Sequence, residues 1–243
     1  MDVFIVTGTT NGIGKELVKQ LLEKGNKVFG ISRSKSDLTH ESYHHFVLDL
    51  AESSKLEPEM NQIMEKAVDG ASSLTLINNA GTIDPIGLAG NLDANDIAKS
   101  IAVNLTAPMI LTGAFIKGSA ASDIQKRVLQ ISSGAGRKGY EGWSSYCAGK
   151  AGLDRFTESV QLEESNKLNG VNLVSIAPGI IDTNMQGKIR SSSEDEFPLV
   201  DRFKDYKSSG QLSSAKEVAA KLIAFVQSKK FDQVEVLADL RNL

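Results

Sequence analysis

The sequence predicts an α/β protein, a Rossmann-type, doubly wound domain with a seven-stranded parallel sheet flanked by helices. Three observations predict it. Short apolar runs of four to six residues alternate with longer segments of helical periodicity, the mark of buried parallel strands joined by crossover helices. The first such run, VFIVTG from residue 3, passes directly into a glycine-rich turn that opens an amphipathic segment. No repeat, low-complexity tract or linker divides the 243 residues, so one domain is expected over 1–243.

In chain order the strand candidates are VFIVTG near residue 3, KVFGIS near 27, HFVLDL near 45 and LTLINNAG near 74. RVLQISS near 127, NLVSIAPG near 172 and QVEVLAD near 233 complete the set of seven. Between them, helical periodicity runs over about 12–24, 53–68, 95–117, 146–168 and 215–227. The third of these comes after LDAND, where Asp93 or Asn95 can accept hydrogen bonds from the free N–H groups of the first turn. In the fourth, Leu153, Phe156 and Val160 recur at the spacing of a core-facing stripe. The stretch 184–212, NMQGKIRSSSEDEFPLVDRFKDYKSSGQL, has no such pattern and is expected to be a long irregular substrate loop.

Composition narrows the function classes. A net charge of −3 without a basic run gives no field suited to nucleic acid or anionic lipid. No window is expected to reach the roughly 20 apolar residues of a membrane span. Cys147 is the single cysteine, so no intrachain disulfide forms, and the opening MDVFIVTG lacks a charged n-region and long apolar h-region, so no export signal is expected. A cytoplasmic protein is the expectation. His40, His44 and His45 lie together, but without cysteines beside them they read as loop and strand entry, and no metal is expected.

The turn VTGTTNGIGKELV places Gly8, Gly12 and Gly14 between a strand and a helix. Glycines there permit positive φ and close backbone approach, while the helix N-terminus offers free N–H groups to a pyrophosphate. The spacing G-x3-G-x-G differs from the commoner G-x-G-x-x-G, so a dinucleotide site and a simple tight turn both remain open. The end of strand two discriminates cofactors, because an acid there would bind the ribose 2′-OH of NAD. This chain has Ser32 in that place, then Arg33 and, close by, Lys35, charges that suit the 2′-phosphate of NADP. Read otherwise, Arg33 and Lys35 are surface charges, with Asp37 nearby.

GWSSYCAGKAG, residues 142–152, sets Tyr146 four residues before Lys150, one helical turn apart on one face with their polar tips close. A neighbouring ammonium makes a phenol easier to ionise. Alone the pair is also an ordinary helix surface.

In order along the chain stand TGTTNGIG at 7–14, Asp49 at the end of strand three, NNAG at 78–81, Asn104, ISS at 131–133, Tyr146 with Lys150, and PGIIDT at 178–183. On this series the chain resembles the short-chain dehydrogenase/reductase family over nearly its whole length. GWSSYCAGKAGLDRF and APGIIDTNMQ resemble its sepiapterin reductase-like branch, to which bacterial benzil reductases belong.

The resemblance implies that Ser133, 13 residues before Tyr146, hydrogen-bonds a substrate carbonyl, whereas Ser132 points to the other face. It implies Tyr146 as general acid, Lys150 as the cation that, with the positively charged nicotinamide of the oxidised cofactor, lowers the phenol pKa and binds the nicotinamide ribose, and Asn104 as holder of a water linking Lys150 to solvent. For NADPH it implies Gly8, Thr10, Asn11, Gly12, Ile13 and Gly14 at the turn, with Ser32 and Arg33 at the 2′-phosphate. Asp49 and Leu50 then meet the adenine, Asn79, Ala80 and Gly81 the adenosine side, and Pro178, Gly179, Ile181 and Thr183 the nicotinamide and phosphates.

Structural roles stay open for several of these. Asn79 can tie strands together, Pro178 and Gly179 can end a strand, and Asp49 can cap the segment after it. Cys147 reads as a small buried residue rather than a nucleophile. Asn11 stands where NADP-dependent relatives often carry a basic residue. Tyr140, Trp143, Met185 and Phe197 could wall an apolar pocket or serve as core. The implied activity is reduction of ketones or 1,2-diketones by NADPH, in a homodimer or homotetramer. An NAD-linked alcohol dehydrogenase and a non-catalytic nucleotide-binding regulatory protein are the alternatives.

Overall fold

The structure, a computed structural model, describes residues 1–243. Strand β1 (Asp2–Thr7) leads through helix α1 (Gly12–Glu23) to β2 (Lys27–Ser32), which passes by a loop to β3 (Tyr43–Val47) and then to α2 (Ser53–Ala67). Strand β4 (Ser73–Asn78) then leads into α3 (Ala94–Ile101), a π turn (Ala102–Thr106) and α4 (Ala107–Ser119). Next come β5 (Gln125–Ile131), α5 (Ser144–Ser165), β6 (Asn172–Ala177), β7 (Ile181–Asp182), α6 (Asn184–Ser191) and α7 (Val200–Ser208). The chain closes through β8 (Ser213–Ser214), α8 (Ala215–Val226) and β9 (Leu237–Asp239).

Seven strands form one wholly parallel sheet in the order β3-β2-β1-β4-β5-β6-β9, as the alternating pattern predicts. Strand order reverses between β1 and β4, and the loops leaving their C-terminal ends diverge there to open a crevice. Side-chain alternation along β1 fills both layers. Phe4 and Val6 meet Leu17 and Leu21 of α1 and Leu222 and Val226 of α8. Val3 and Ile5 point the other way, to Leu56, Met60 and Ile63 of α2 and Leu111 and Phe115 of α4. Each such side chain, fully enclosed, contributes about 1.5–3 kcal/mol of apolar burial. Leu153 and Val160 of α5 are buried as their spacing predicts.

Five expectations change. The segment 95–117 is not one helix. Its C-terminal part continues to Ser119, but a π turn over 102–106, with Ala107 N–H reaching Ala102 O, separates α3 from α4 and places Asn104 on the inner side. At its start, Asp93 is the capping residue, accepting from Asn95 N–H and Asp96 N–H. The seventh strand covers only 237–239, because Lys229–Asp232 form a 3₁₀ turn and Val234 N–H still bonds back to Lys230 O. Strand β3 stops at Val47, which leaves Asp49 in the next turn, where its carboxylate accepts from Ala51 N–H at 3.0 Å.

The stretch 184–212 is not irregular. Its bulky residues Ile189, Phe197, Val200 and Phe203 are buried together, and α6 and α7 form around them. Its ends are tied by the small β7–β8 sheet. Finally, the helical run Ala94–Ser119 is long and apolar enough to cross a membrane by length and composition, contrary to expectation. In the fold, Ala107, Leu111, Ala114 and Phe115 of this run belong to the core shared with α2.

Candidate active site

At the crevice the chain is drawn tight around the glycine turn. Gly8 and Gly12 adopt φ of 74° and 52°, a region that side chains disfavour. Gly14 serves packing instead, because a Cβ there would lie 2.1 Å from Gly8 O and 2.6 Å from Asn79 Nδ2. The β4 end is laced to the β1 end. Thr7 Oγ1 accepts from both Asn79 N–H and Ala80 N–H at 3.0 Å, and Asn79 Nδ2 donates to Thr7 O at 2.9 Å. Asn79 therefore holds neighbouring strands together as well as lining the crevice. The first helix begins at Gly12 with no side-chain cap, so its leading N–H groups are free for a ligand.

Two features at the β2 end bear on the charge a ligand would meet there. Arg33 is exposed and makes neither a hydrogen bond nor an ion pair. Asp37, the nearby acid, is paired to Lys15 at 3.2 Å. The net local charge is positive, and together with the glycine cradle this fits a phosphate-bearing dinucleotide.

The reacting end is built on α5. Tyr146 is 7% exposed and Lys150 4%, both on the buried face. Their tips do not meet as a simple helical stack would have them. Lys150 Nζ donates to Ile131 O at 2.8 Å and stands 5.8 Å from the Tyr146 ring centroid. Burial dominates both groups: it pushes the Tyr146 phenol up to about 12 against a lowering contribution from the Ser133 hydroxyl. Burial pulls Lys150 down to about 8, opposed by the carboxylate of Asp154 one turn further along α5. Without cofactor, burial outweighs any lowering of the phenol by Lys150, whose ammonium is turned toward the Ile131 carbonyl.

Ser133 is half-buried at the end of the β5 loop, with its Oγ accepting from Ala135 N–H at 3.2 Å. Ser132 is buried with its Oγ unpartnered. Asn104 is fully buried behind Lys150. Its Oδ1 accepts from Thr82 N–H at 3.0 Å, and its Nδ2 donates to Thr82 O at 2.8 Å and Ser100 Oγ at 3.3 Å. Two glycines allow this approach. A Cβ on Gly149 would press on Asn104 Cβ at 3.0 Å, and one on Gly81 would come within 3.1 Å of Asn104 Oδ1.

The far wall is aromatic. The Trp143 ring stacks on Phe197 with centroids 4.6 Å apart and meets Tyr146 edge-on at 6.0 Å. Phe203 packs edge-on against both Trp143 and Phe197. Gly142, at φ 80°, makes this possible, since a Cβ there would stand 2.4 Å from Glu196 O. Lys188 of α6 pairs with Asp84 of the β4 loop across the cleft mouth.

One cleft of about 1180 Å³ gathers nearly all the residues expected from the sequence. Gly8, Thr10, Asn11, Gly12, Ile13, Ser32, Arg33, Asp49, Leu50, Asn79, Ala80 and Gly81 line one arm. Pro178, Gly179, Ile181 and Thr183 face them, and Ser133, Tyr140, Trp143, Tyr146, Lys150 and Met185 line the other arm. Gly14 and Asn104 lie behind the wall, and Phe197 is a packing anchor rather than a wall residue. Sequence reasoning missed Phe203, Tyr206 and the half-buried Thr82, which line the wall, and the buried supports Thr7, Ser100 and Asp154. Asp154 was findable, being four residues after Lys150 on the same helix.

The short chain dehydrogenase family model matches residues 2–194. A benzil reductase ((S)-benzoin forming) of Bacillus cereus is 39% identical over 245 residues, covering 98% of each chain. The sepiapterin reductase of Rattus norvegicus is 33% identical over 248 residues, covering 94% of this chain and 92% of its own. A solved short chain dehydrogenase/reductase from Saccharomyces cerevisiae superposes with a TM-score of 0.84 at 26% identity, covering 99% of this chain and 96% of its own. With the parallel sheet, the glycine cradle and the Ser133, Tyr146 and Lys150 cluster on one cleft, these likenesses agree: the chain belongs to the short-chain dehydrogenase/reductase family of oxidoreductases.

Proposed function

We propose that the protein is an NADPH-dependent carbonyl reductase acting on ketones or 1,2-diketones of the benzil type and giving a hydroxyketone. The observation that carries this reading is the single cleft that joins an unpaired arginine at one arm to the buried Tyr146 and Lys150 and the half-buried Ser133 at the other. The aromatic wall of Tyr140, Trp143 and Phe203 suits a flat apolar substrate, and benzil reduction is what the similar Bacillus cereus protein is named for.

The residues divide the work. Arg33 and the Ser32 hydroxyl would take the 2′-phosphate, and the glycine turn with the α1 N-terminus the pyrophosphate. When bound, the cofactor supplies the hydride. Ser133 Oγ donates a hydrogen bond to the carbonyl oxygen and stabilises the charge that develops there. Tyr146 gives that oxygen its proton. A phenol near 12 is fully protonated at neutral pH, which is the form reduction requires. Lys150, charged at pH 7 with a pKa about 8, anchors to Ile131 O and would hold the ribose while favouring phenolate after transfer. Asn104 fixes the β4 loop at Thr82 immediately behind Lys150.

The test is a panel of aldehydes, ketones, diketones and pterins assayed with NADPH and NADH, with product chirality recorded. The expected result is fastest turnover of an aromatic diketone with NADPH, giving one enantiomer of the hydroxyketone. Consistent preference for NADH, with alcohol oxidation as the faster direction, would instead support an NAD-linked alcohol dehydrogenase.

A further inference from the structure

Behind the β2 end lies a hydrogen-bonded network that takes no part in the chemistry of the cleft. Tyr43 OH donates to Thr9 Oγ1 at 3.4 Å, Thr9 Oγ1 donates to Ser32 Oγ at 3.5 Å, and Ser32 Oγ donates to Ser34 O at 2.9 Å. His45 Nε2 stands 2.8 Å from the same Ser32 oxygen. Strand register builds the arrangement. Tyr43, His45 and Val47 share one face of β3, opposite Val28, Gly30 and Ser32 of β2. Gly30 makes room for it, since a Cβ there would lie 2.4 Å from the Tyr43 hydroxyl. Ser32 is buried, yet with Arg33 and Ser34 it borders the cleft, whereas His45 does not reach the cleft itself.

A hydroxyl has one proton and two acceptor sites. With its proton on Ser34 O, Ser32 Oγ can only accept from His45, so the ring carries its proton on Nε2 in this arrangement. The other neutral tautomer, with the proton on Nδ1, would draw the Ser32 proton toward the ring and away from the cleft. A doubly protonated ring removes that choice, because both nitrogens then donate.

We propose that His45 is a positioning residue that sets the direction in which the Ser32 hydroxyl donates, and thereby strengthens the hold of the β2 end on a ribose 2′-phosphate. This rests on the reading of Ser32 and Arg33 as the phosphate site. A phosphate oxygen takes the place of Ser34 O as acceptor, His45 keeps donating into Ser32 Oγ, and each bond polarises the next. The groups against the ring are Ser32 of β2 and Tyr43 on its own strand, with ring centroids 5.9 Å apart, and Thr9 of the glycine turn bonds to both of these; no charged group acts on the ring. Burial alone moves the His45 pKa, and it moves it down, which favours the neutral ring. A phosphate dianion next to Ser32 then favours the protonated ring, and 2′-phosphate binding is coupled to proton uptake at His45.

The experiment tracks the His45 ring by NMR in a pH titration of the full-length protein, free and saturated with 2′,5′-ADP or with 5′-AMP. In parallel, calorimetry measures both ligands against wild type, His45→Phe and His45→Gln at pH 6.5. The expected result is a His45 pKa raised by 2′,5′-ADP and little moved by 5′-AMP. His45→Phe should weaken 2′,5′-ADP about fivefold, the worth of one hydrogen bond, and leave 5′-AMP within about twofold. His45→Gln, whose amide nitrogen can donate from the place of Nε2, should restore most of the affinity without its pH dependence. A preference for 2′,5′-ADP that survives His45→Phe unchanged, with a His45 pKa indifferent to the ligand, overturns the role of His45 alone. Equal affinity of wild type for the two ligands overturns both this role and the phosphate site on which it rests.

Discussion

The two arms of the cleft are held by different physics. The cofactor arm is fixed by backbone: glycines at φ of 74° and 52°, Gly14 pressed against Gly8 O, and strand ends laced through Thr7 and Asn79. The opposite arm is fixed by side chains drawn from distant parts of the chain, with Trp143 at the start of α5 packed against Phe197 and Phe203. Backbone geometry tolerates almost no substitution but depends on few residues. Aromatic packing tolerates reshaping, at a cost in stability that grows with the volume removed. A scaffold of this kind can hold one cofactor while its substrate changes.

That contrast can be broken most sharply at Gly14. Gly14→Ala forces a Cβ against a backbone oxygen, so NADPH affinity by fluorescence titration should fall by more than about a hundredfold, with a lower Tm. Gly134→Ala, where a Cβ meets nothing within 4 Å, is the control and should change neither. On the other arm, Phe197→Ala removes a fully buried ring and should cost about 3–5 kcal/mol in denaturant unfolding. Its KM for the ketone should rise while its NADPH affinity stays within about twofold of wild type, and loss of both would show the arms to be one unit.

A smaller effect is expected at the β2 end. Arg33→Ala should weaken NADPH about tenfold, as one charge-assisted contact warrants, and leave NADH within about twofold. NADPH preference that survives the change would place the 2′-phosphate elsewhere.

The smallest effect is one of pH. Lys150 has a folded pKa of about 8 against an ordinary 10.5, so between those values the unfolded chain holds more protons and stability rises with pH. Tyr146, raised from 10.0 to about 12, acts oppositely: between those values the folded chain holds more protons and stability falls with pH. In the cofactor-free protein, the Tm of wild type relative to Lys150→Met should therefore climb from pH 8 to 10, and a flat difference would mean that the ammonium is not desolvated.

The same contrast explains what could be read in the sequence. Strands such as VFIVTG and LTLIN are buried on both faces and announce themselves as continuous apolar runs, so the seven-stranded sheet was legible. So were the cofactor-arm residues, because each lies within a few residues of a strand end and local order fixes its place. Residues 184–212 were not. Phe197 and Phe203 pack on each other, but both also need Trp143, 54 residues before Phe197, to complete the cluster under α6 and α7, and periodicity cannot report that contact. The π turn at Asn104 was hidden for a related reason, since AVNLT carries no helix breaker and the turn is set by how Asn104 meets Thr82 and Gly149. The sign of the Tyr146 shift depended on burial, which four-residue spacing does not encode.

The most direct test of the proposed chemistry is Tyr146→Phe, assayed as kcat/KM for NADPH-dependent reduction of benzil, with NADPH affinity measured alongside. Loss of the general acid should lower kcat/KM by about 10²–10⁴-fold with affinity unchanged. A variant that reduces benzil as fast as wild type would contradict the assignment of Tyr146 as the proton donor.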